Sequence, residues 1–122
     1  MLSSKQIGTI TEYKCMTYIM ELGYNVSVPI GENSKYDFII DTGDALIKVQ
    51  CKHSTVLNNG SFEFSCETTR INATSVKCCT YTKHDIDYFC TWYNNVCYLV
   101  PVEECGRAKK VACKSSCKWS KT

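Results

Sequence analysis

The chain has 122 residues, 44% of them apolar, which is enough to bury one ordinary core and too few for two. Its net charge of +2 is unevenly spread: residues 1–106 hold 8 Lys/Arg and all 12 Asp/Glu, whereas residues 107–122 hold 6 basic residues and no acid. No stretch approaches the roughly 20 consecutive apolar residues of a membrane span, and residues 1–8 lack the apolar core of a signal peptide, so a cytoplasmic protein with no membrane partner is expected.

In chain order, apolar residues fall at helical spacing over residues 8–22, with Ile7, Ile10, Cys15, Ile19 and Leu22 on one stripe. Ser3 or Ser4 can cap this helix and Gly23 can stop it. Val26 and Val28 mark a short strand over 24–29, closed by Pro29 and Gly31. Residues 36–42 and 45–53 are two further strands, and the tight turn of Thr42, Gly43 and Asp44 between them requires antiparallel pairing. A fourth strand is expected over 61–67, after the turn at Asn58, Asn59 and Gly60, and residues 68–80 are polar without a pattern. Thr82 then caps a short helical turn containing Asp85. Residues 87–93 and 96–100 read as a hairpin about Asn94 and Asn95, ended by Pro101. The expected fold is α/β: a single domain over 1–106 with a mixed sheet flanked by helices, followed by a basic tail over 107–122.

Ten cysteines in so short a chain suggest a secreted disulfide scaffold. However, Cys15, Cys51, Cys90 and Cys97 lie inside apolar periodic segments, where a thiol behaves as a small buried hydrophobe. Reduced cysteines are therefore expected, and the glycosylation sequons at Asn25 and Asn72 carry no weight in a cytoplasmic protein.

One constellation carries chemistry. Alternation along a strand puts Gln50 and Lys52 on one face and Cys51, with Ile47 and Val49, on the other. The short turn brings Asp37, at the start of the partner strand, beside the end of the strand bearing Gln50 and Lys52. Glu12 stands on the first helix with Cys15, Met16 and Ile19 at i+3, i+4 and i+7, so it lies at the edge of the apolar stripe. A carboxylate there either reaches outward or serves a site.

The order of these residues resembles the core of the PD-(D/E)XK nucleases. The resemblance is carried by Glu12 after Gly8, Thr9, Ile10 and Thr11, by the close of the helix at Leu22, Gly23 and Tyr24, by Val28 and Pro29, by Tyr36 and Asp37, and by Gln50 and Lys52 around Cys51. It is similar to the small endonucleases associated with group I introns, and next to archaeal-type Holliday-junction resolvases. It spans residues 6–54, with a weaker continuation over 80–104. Two departures stand out: Gln50 occupies the place of an acid, and Tyr36 that of a proline.

The resemblance implies a restriction-endonuclease-like core and Mg²⁺-dependent hydrolysis of DNA phosphodiesters, with Mn²⁺ able to substitute. Glu12, Asp37, Gln50 and Lys52 would be catalytic. Asp37, Gln50, the backbone carbonyl of Cys51 and Glu12 would hold the metal as hard oxygen ligands. Lys52 would orient the attacking water or stabilise the charge of the phosphorane. Ser34, Lys35, His53 and Ser54, with Arg107, Lys109, Lys110 and Lys114 of the tail, are candidate DNA contacts. Because two strands need two active sites, a homodimer or dimer of dimers is expected. Two other readings stay open: a zinc-binding module using Cys113 and Cys117 with Cys105 and the pair Cys78 and Cys79, and a catalytically inert DNA-binding module in which Gln50 marks lost activity.

Overall fold

The computed structural model describes residues 1–31, 33–57, 60–71, 76–105 and 108–111, the side chains of 68–71, 76–80 and 108–111 excepted. Helix α1 spans Ser4–Glu21 and opens on a capping box. The Ser3 hydroxyl accepts the Gln6 N–H at 3.1 Å, and the Gln6 side-chain oxygen accepts the Ser3 N–H at 2.8 Å. Of the expected stripe, Cys15 and Ile19 are buried together with Thr11 and Met16. Past the helix, Gly23 takes a φ of 98°, the left-handed conformation that lets the chain leave its last turn.

Strands β1 (Asn25–Ser27), β2 (Phe38–Asp41) and β3 (Leu46–Cys51) follow. The turn between β2 and β3 works as its sequence suggests. Gly43 adopts a φ of 92°, and the Asp41 carboxylate accepts its N–H at 2.9 Å. β2 therefore pairs antiparallel with β3, Phe38 opposite Val49 and Asp41 opposite Leu46.

After β3 the chain makes an excursion before rejoining the sheet. It forms β4 (Thr55–Val56), β5 (Phe62–Ser65), β6 (Glu67–Ile71) and β7 (Val76–Thr80), then returns as β8 (Tyr88–Tyr93) and β9 (Val96–Pro101). The patternless residues 68–80 thus hold most of an antiparallel β6–β7 ribbon. Where a capped helical turn was expected, residues 83–85 form a turn without a helix. The capping there runs the other way: the Asp85 carboxylate accepts the Thr82 N–H at 3.0 Å. The β8–β9 hairpin turns on Asn94 and Asn95, at φ of 52° and 63°, the left-handed pair that a two-residue hairpin needs.

The principal sheet has the order β1-β2-β3-β8-β9, with β3 at its centre. β8 lies parallel to β3, and Asp87 fixes the register: its carboxylate accepts the Lys48 N–H at 2.9 Å and its own N–H donates to the Lys48 carbonyl at 2.9 Å. Alternation along β8 and β9 sends Cys90, Cys97 and Leu99 under α1, where they join Cys15, Met16, Ile19, Phe38, Ile40 and Val49. The other face sends Phe89, Tyr98 and Val100 against Phe62 and Phe64 of β5. Among the described residues, then, α1 covers one face and a second small sheet, ordered β10-β5-β4, covers the other, giving the restriction-endonuclease-like α/β arrangement. Strand β10 (Ala108–Val111) falls within the basic C-terminal stretch, and its backbone pairs antiparallel with β5.

Candidate active site

The site forms at the end of the sheet where β2 starts and β3 stops. Asp37, one residue ahead of β2, is clamped to β3 twice. Its N–H donates to the Val49 carbonyl at 2.8 Å, and its carboxylate accepts the Cys51 N–H at 2.8 Å. Burial pushes its pKa above the ordinary carboxylate range, opposed by the Cys51 N–H bond and by the Lys52 ammonium.

Glu12 arrives at the same place from α1. Burial, then the charge of Asp37, then Cys51, hold its pKa up at about 7. The cleft between helix and sheet has a volume of about 520 Å³ and is lined by Glu12 and Asp37 with Lys5, Tyr13, Ser34 and Tyr36 among others.

Lys52 enters from beyond the end of β3. Its ammonium donates to the Glu67 carbonyl at 3.0 Å and lies 5.3 Å from the centroid of the Tyr81 ring. Burial lowers its pKa, while Asp37, Cys66 and Cys51 raise it. Asp37 is thus the centre of the group, felt by Glu12 on the helix side and by Lys52 on the strand side. The Gln50 amide nitrogen sits 3.4 Å from the Cys51 carbonyl oxygen, which joins two of the expected metal ligands. A half-turn of that amide exchanges donor for acceptor.

The donor set suits a hard divalent cation: two carboxylates, an amide and a backbone carbonyl, all offering oxygen. Burial first, and then the Asp37 charge, raise the proton affinity of Glu12, and a cation between two such carboxylates would relieve the second of these.

The remaining expected residues divide. Ser34 lines the cleft, and His53 is exposed just past β3. Lys35 reaches Asp85, with which it pairs at 3.5 Å. Ser54 is buried, and its hydroxyl donates to the Trp92 carbonyl at 3.3 Å, which ties β3's exit to β8. Lys109 and Lys110 lie on β10, of which the backbone alone is described, and Arg107 and Lys114 lie outside the described residues. Of the cysteines proposed for zinc, Cys105 donates its thiol to the Pro101 carbonyl at 3.4 Å, Cys78 and Cys79 lie on the backbone of β7, and Cys113 and Cys117 lie outside the described residues.

Sequence reasoning missed Lys5 and Tyr81. Lys5 stands two helical turns before Glu12, a spacing that would have placed both on one face. Tyr81 carried no local signal, because it meets Lys52 through the fold.

Two carboxylates, Glu12 and Asp37, and the lysine just past β3 thus lie at one end of the mixed sheet of a restriction-endonuclease-like fold. The chain belongs to the PD-(D/E)XK endonuclease family, which it matches over residues 2–118, and it is a nuclease. Among solved structures it is similar to a bacterial homing endonuclease, I-Ssp6803I, with a TM-score of 0.80 and 24% identity over 93% of this chain and 80% of that one. No curated protein matches. Among the described residues no helix is long and apolar enough to cross a membrane.

Proposed function

We propose that the protein is a Mg²⁺-dependent DNA endonuclease in which Glu12, Asp37, Gln50 and Lys52 act on one phosphodiester. The observation that carries this reading is the placement of Asp37, fastened to β3 through Cys51 and electrostatically coupled to Glu12 and Lys52. Asp37, Gln50, the Cys51 carbonyl and Glu12 would hold the ion, with Mn²⁺ an acceptable substitute. When bound, Mg²⁺ supplies Lewis-acid polarisation of the scissile phosphate. Lys52, braced by the Glu67 carbonyl and the Tyr81 ring, stabilises the negative charge that grows as water attacks phosphorus. Glu12 must shed its proton before it can serve as a ligand, so its pKa of about 7 ties activity to pH.

Ser34, Lys35 and His53 are placed to meet the DNA backbone beside the cleft. The Lys35–Asp85 pair is no obstacle, because exposed pairs are weak and a phosphate can take the place of the carboxylate. The six basic residues of 107–122 add sequence-independent affinity through counterion release. Cutting both strands calls for a homodimer or a dimer of dimers.

The fold of I-Ssp6803I, described as a homing endonuclease, favours a duplex target over a four-way junction. Labelled linear duplex and labelled four-way junction, each with Mg²⁺ or with EDTA, test both points. Cleavage of duplex in Mg²⁺ alone is expected. Cleavage in EDTA would end the metal assignment, and cleavage confined to the junction would make the protein a resolvase.

A further inference from the structure

Behind the active-site strand, on the side away from Gln50 and Lys52, four thiols converge. Cys15 comes from α1, Cys51 from β3, Cys90 from β8 and Cys97 from β9. The Sγ atoms of Cys15, Cys51 and Cys90 all lie within 4.8 Å of one another. Cys97 shares side-chain hydrogen bonds with Cys15 and Cys90. Cys15, Cys90 and Cys97 have no exposed surface, and none of the four forms a disulfide. We propose that Cys15, Cys51, Cys90 and Cys97 form a buried structural site for one Zn²⁺ ion, bound as a tetrathiolate and distinct from the oxygen-ligand site in the cleft.

Three physical points support zinc. A tetrahedral ZnS₄ centre, with Zn–S of roughly 2.3 Å, needs sulfurs about 3.8 Å apart; the separations of Cys15, Cys51 and Cys90 allow three of the four positions, and Cys97, hydrogen-bonded to Cys15 and Cys90, must close in to supply the fourth. The same spacing leaves room for a single ion and not for a cluster of several irons. Thiolates also select a soft or borderline ion over the hard Mg²⁺ of the cleft, so the two sites do not compete.

The topology accounts for the convergence. Cys51 and Cys90 are register partners on the parallel β3–β8 pair, and Cys97 stands opposite Trp92, two residues from Cys90. Cys15 closes the group from the helix. One ion would therefore tie α1 to the three strands β3, β8 and β9. Binding replaces four thiol protons with the metal, Zn²⁺ + 4 Cys–SH → Zn(Cys–S)₄²⁻ + 4 H⁺, and the two charges of the ion offset half the charge of the four thiolates. The other buried hydrophobic members of this core are Met, Ile, Phe, Val and Leu.

The test uses full-length untagged protein expressed with zinc supplementation. One zinc per chain, surviving dialysis against EDTA, is expected. Replacement by Co²⁺ should give the visible bands and the sulfur-to-metal charge transfer of a tetrahedral thiolate site. Cys97→Ser should lose at least tenfold in metal retention, and the double variant Cys113→Ser/Cys117→Ser should keep both metal and spectrum. Wild-type protein that binds less than about a tenth of an equivalent of zinc, with its thiols free to Ellman's reagent after denaturation, would overturn the site whether or not the variants fold. Iron or copper in place of zinc, or a disulfide among the four, would overturn it equally. Loss of the cobalt spectrum in the Cys113/Cys117 variant alone would move the metal to the C-terminal cysteines.

Discussion

The two sides of β3 ask opposite things of neighbouring residues. Gln50, and Lys52 just past the strand, hold half-buried polar groups against carbonyls, whereas Val49 and Cys51 pack into the core under α1. The first arrangement keeps a charge costly, because burial pulls the Lys52 pKa down. The second removes apolar surface from water. A strand of six residues can serve both because its alternation separates them by one residue. Stability and chemistry should therefore respond to different substitutions in the same few residues.

The largest effect expected is on Lys52. Lys52→Ala should lower the rate of DNA cleavage by about 100- to 1,000-fold, the usual loss on removing one charge-stabilising group, with unchanged duplex binding in Ca²⁺. Near wild-type single-turnover rates would break the division at its polar side.

On the other side, Ile19→Ala opens a cavity against the buried face of the sheet and should cost about 2–4 kcal/mol in urea unfolding. The folded fraction should cleave at the wild-type rate, and a rate loss exceeding the loss of folded protein would show the core reaching into the chemistry.

Gln50→Glu adds a negative ligand and should lower the Mg²⁺ concentration for half-maximal cleavage by about tenfold, one charge-assisted interaction of roughly 1.4 kcal/mol. An unmoved metal titration in both Gln50→Glu and Gln50→Ala would remove Gln50 from the ligand set.

Smaller still is the pH signature of Glu12. At limiting Mg²⁺, cleavage should rise with pH through about 7 as the carboxyl ionises, and saturating Mg²⁺ should move that rise to lower pH. Stability has the opposite slope. The folded-state pKa lies above the usual 4.5, so between about pH 4.5 and 7 the native state keeps a proton that the unfolded chain has lost, and stability in EDTA falls across that window. Because Glu12 is only partly buried, screening limits this loss to about 1 kcal/mol. Glu12→Gln should abolish both slopes, as chemical denaturation and cleavage measured from pH 4.5 to 8 would reveal.

Much of this division was legible in the sequence, and the reasons are local. The helix announced itself by the spacing of Cys15 and Ile19, and the β2–β3 hairpin by Gly43, which set Asp37 beside Gln50 without any long-range information. The β8–β9 hairpin was written in its aromatic and β-branched residues and in Asn94 and Asn95.

What escaped was whatever depended on parallel pairing or on strands outside the principal sheet. The β6–β7 ribbon pairs only with itself among the described residues, so no apolar alternation marks it. Ala108–Val111 read as a run of positive charge because Lys109 and Lys110 are ordinary residues for an edge strand. Cys15, Cys90 and Cys97 were correctly read as buried, and Cys51 is half-buried, yet their meeting point could not be read, since it depends on β8 returning alongside β3. The bond made by Ser54 was hidden for the same reason: its partner, Trp92, arrives on that returning strand.

That return has a consequence for how the protein is made. The Lys48–Asp87 bond that sets the parallel register joins residues 39 apart in sequence. At about 5–20 residues per second, a ribosome finishes β3 roughly 2–7 s before it supplies Asp87. During that interval β3 has its hairpin partner β2 but lacks its other neighbour, and Ser54 has no Trp92 carbonyl to hold. The nascent chain therefore passes through a stage in which every residue of the cleft has been synthesised and β8, the parallel neighbour of β3, has not.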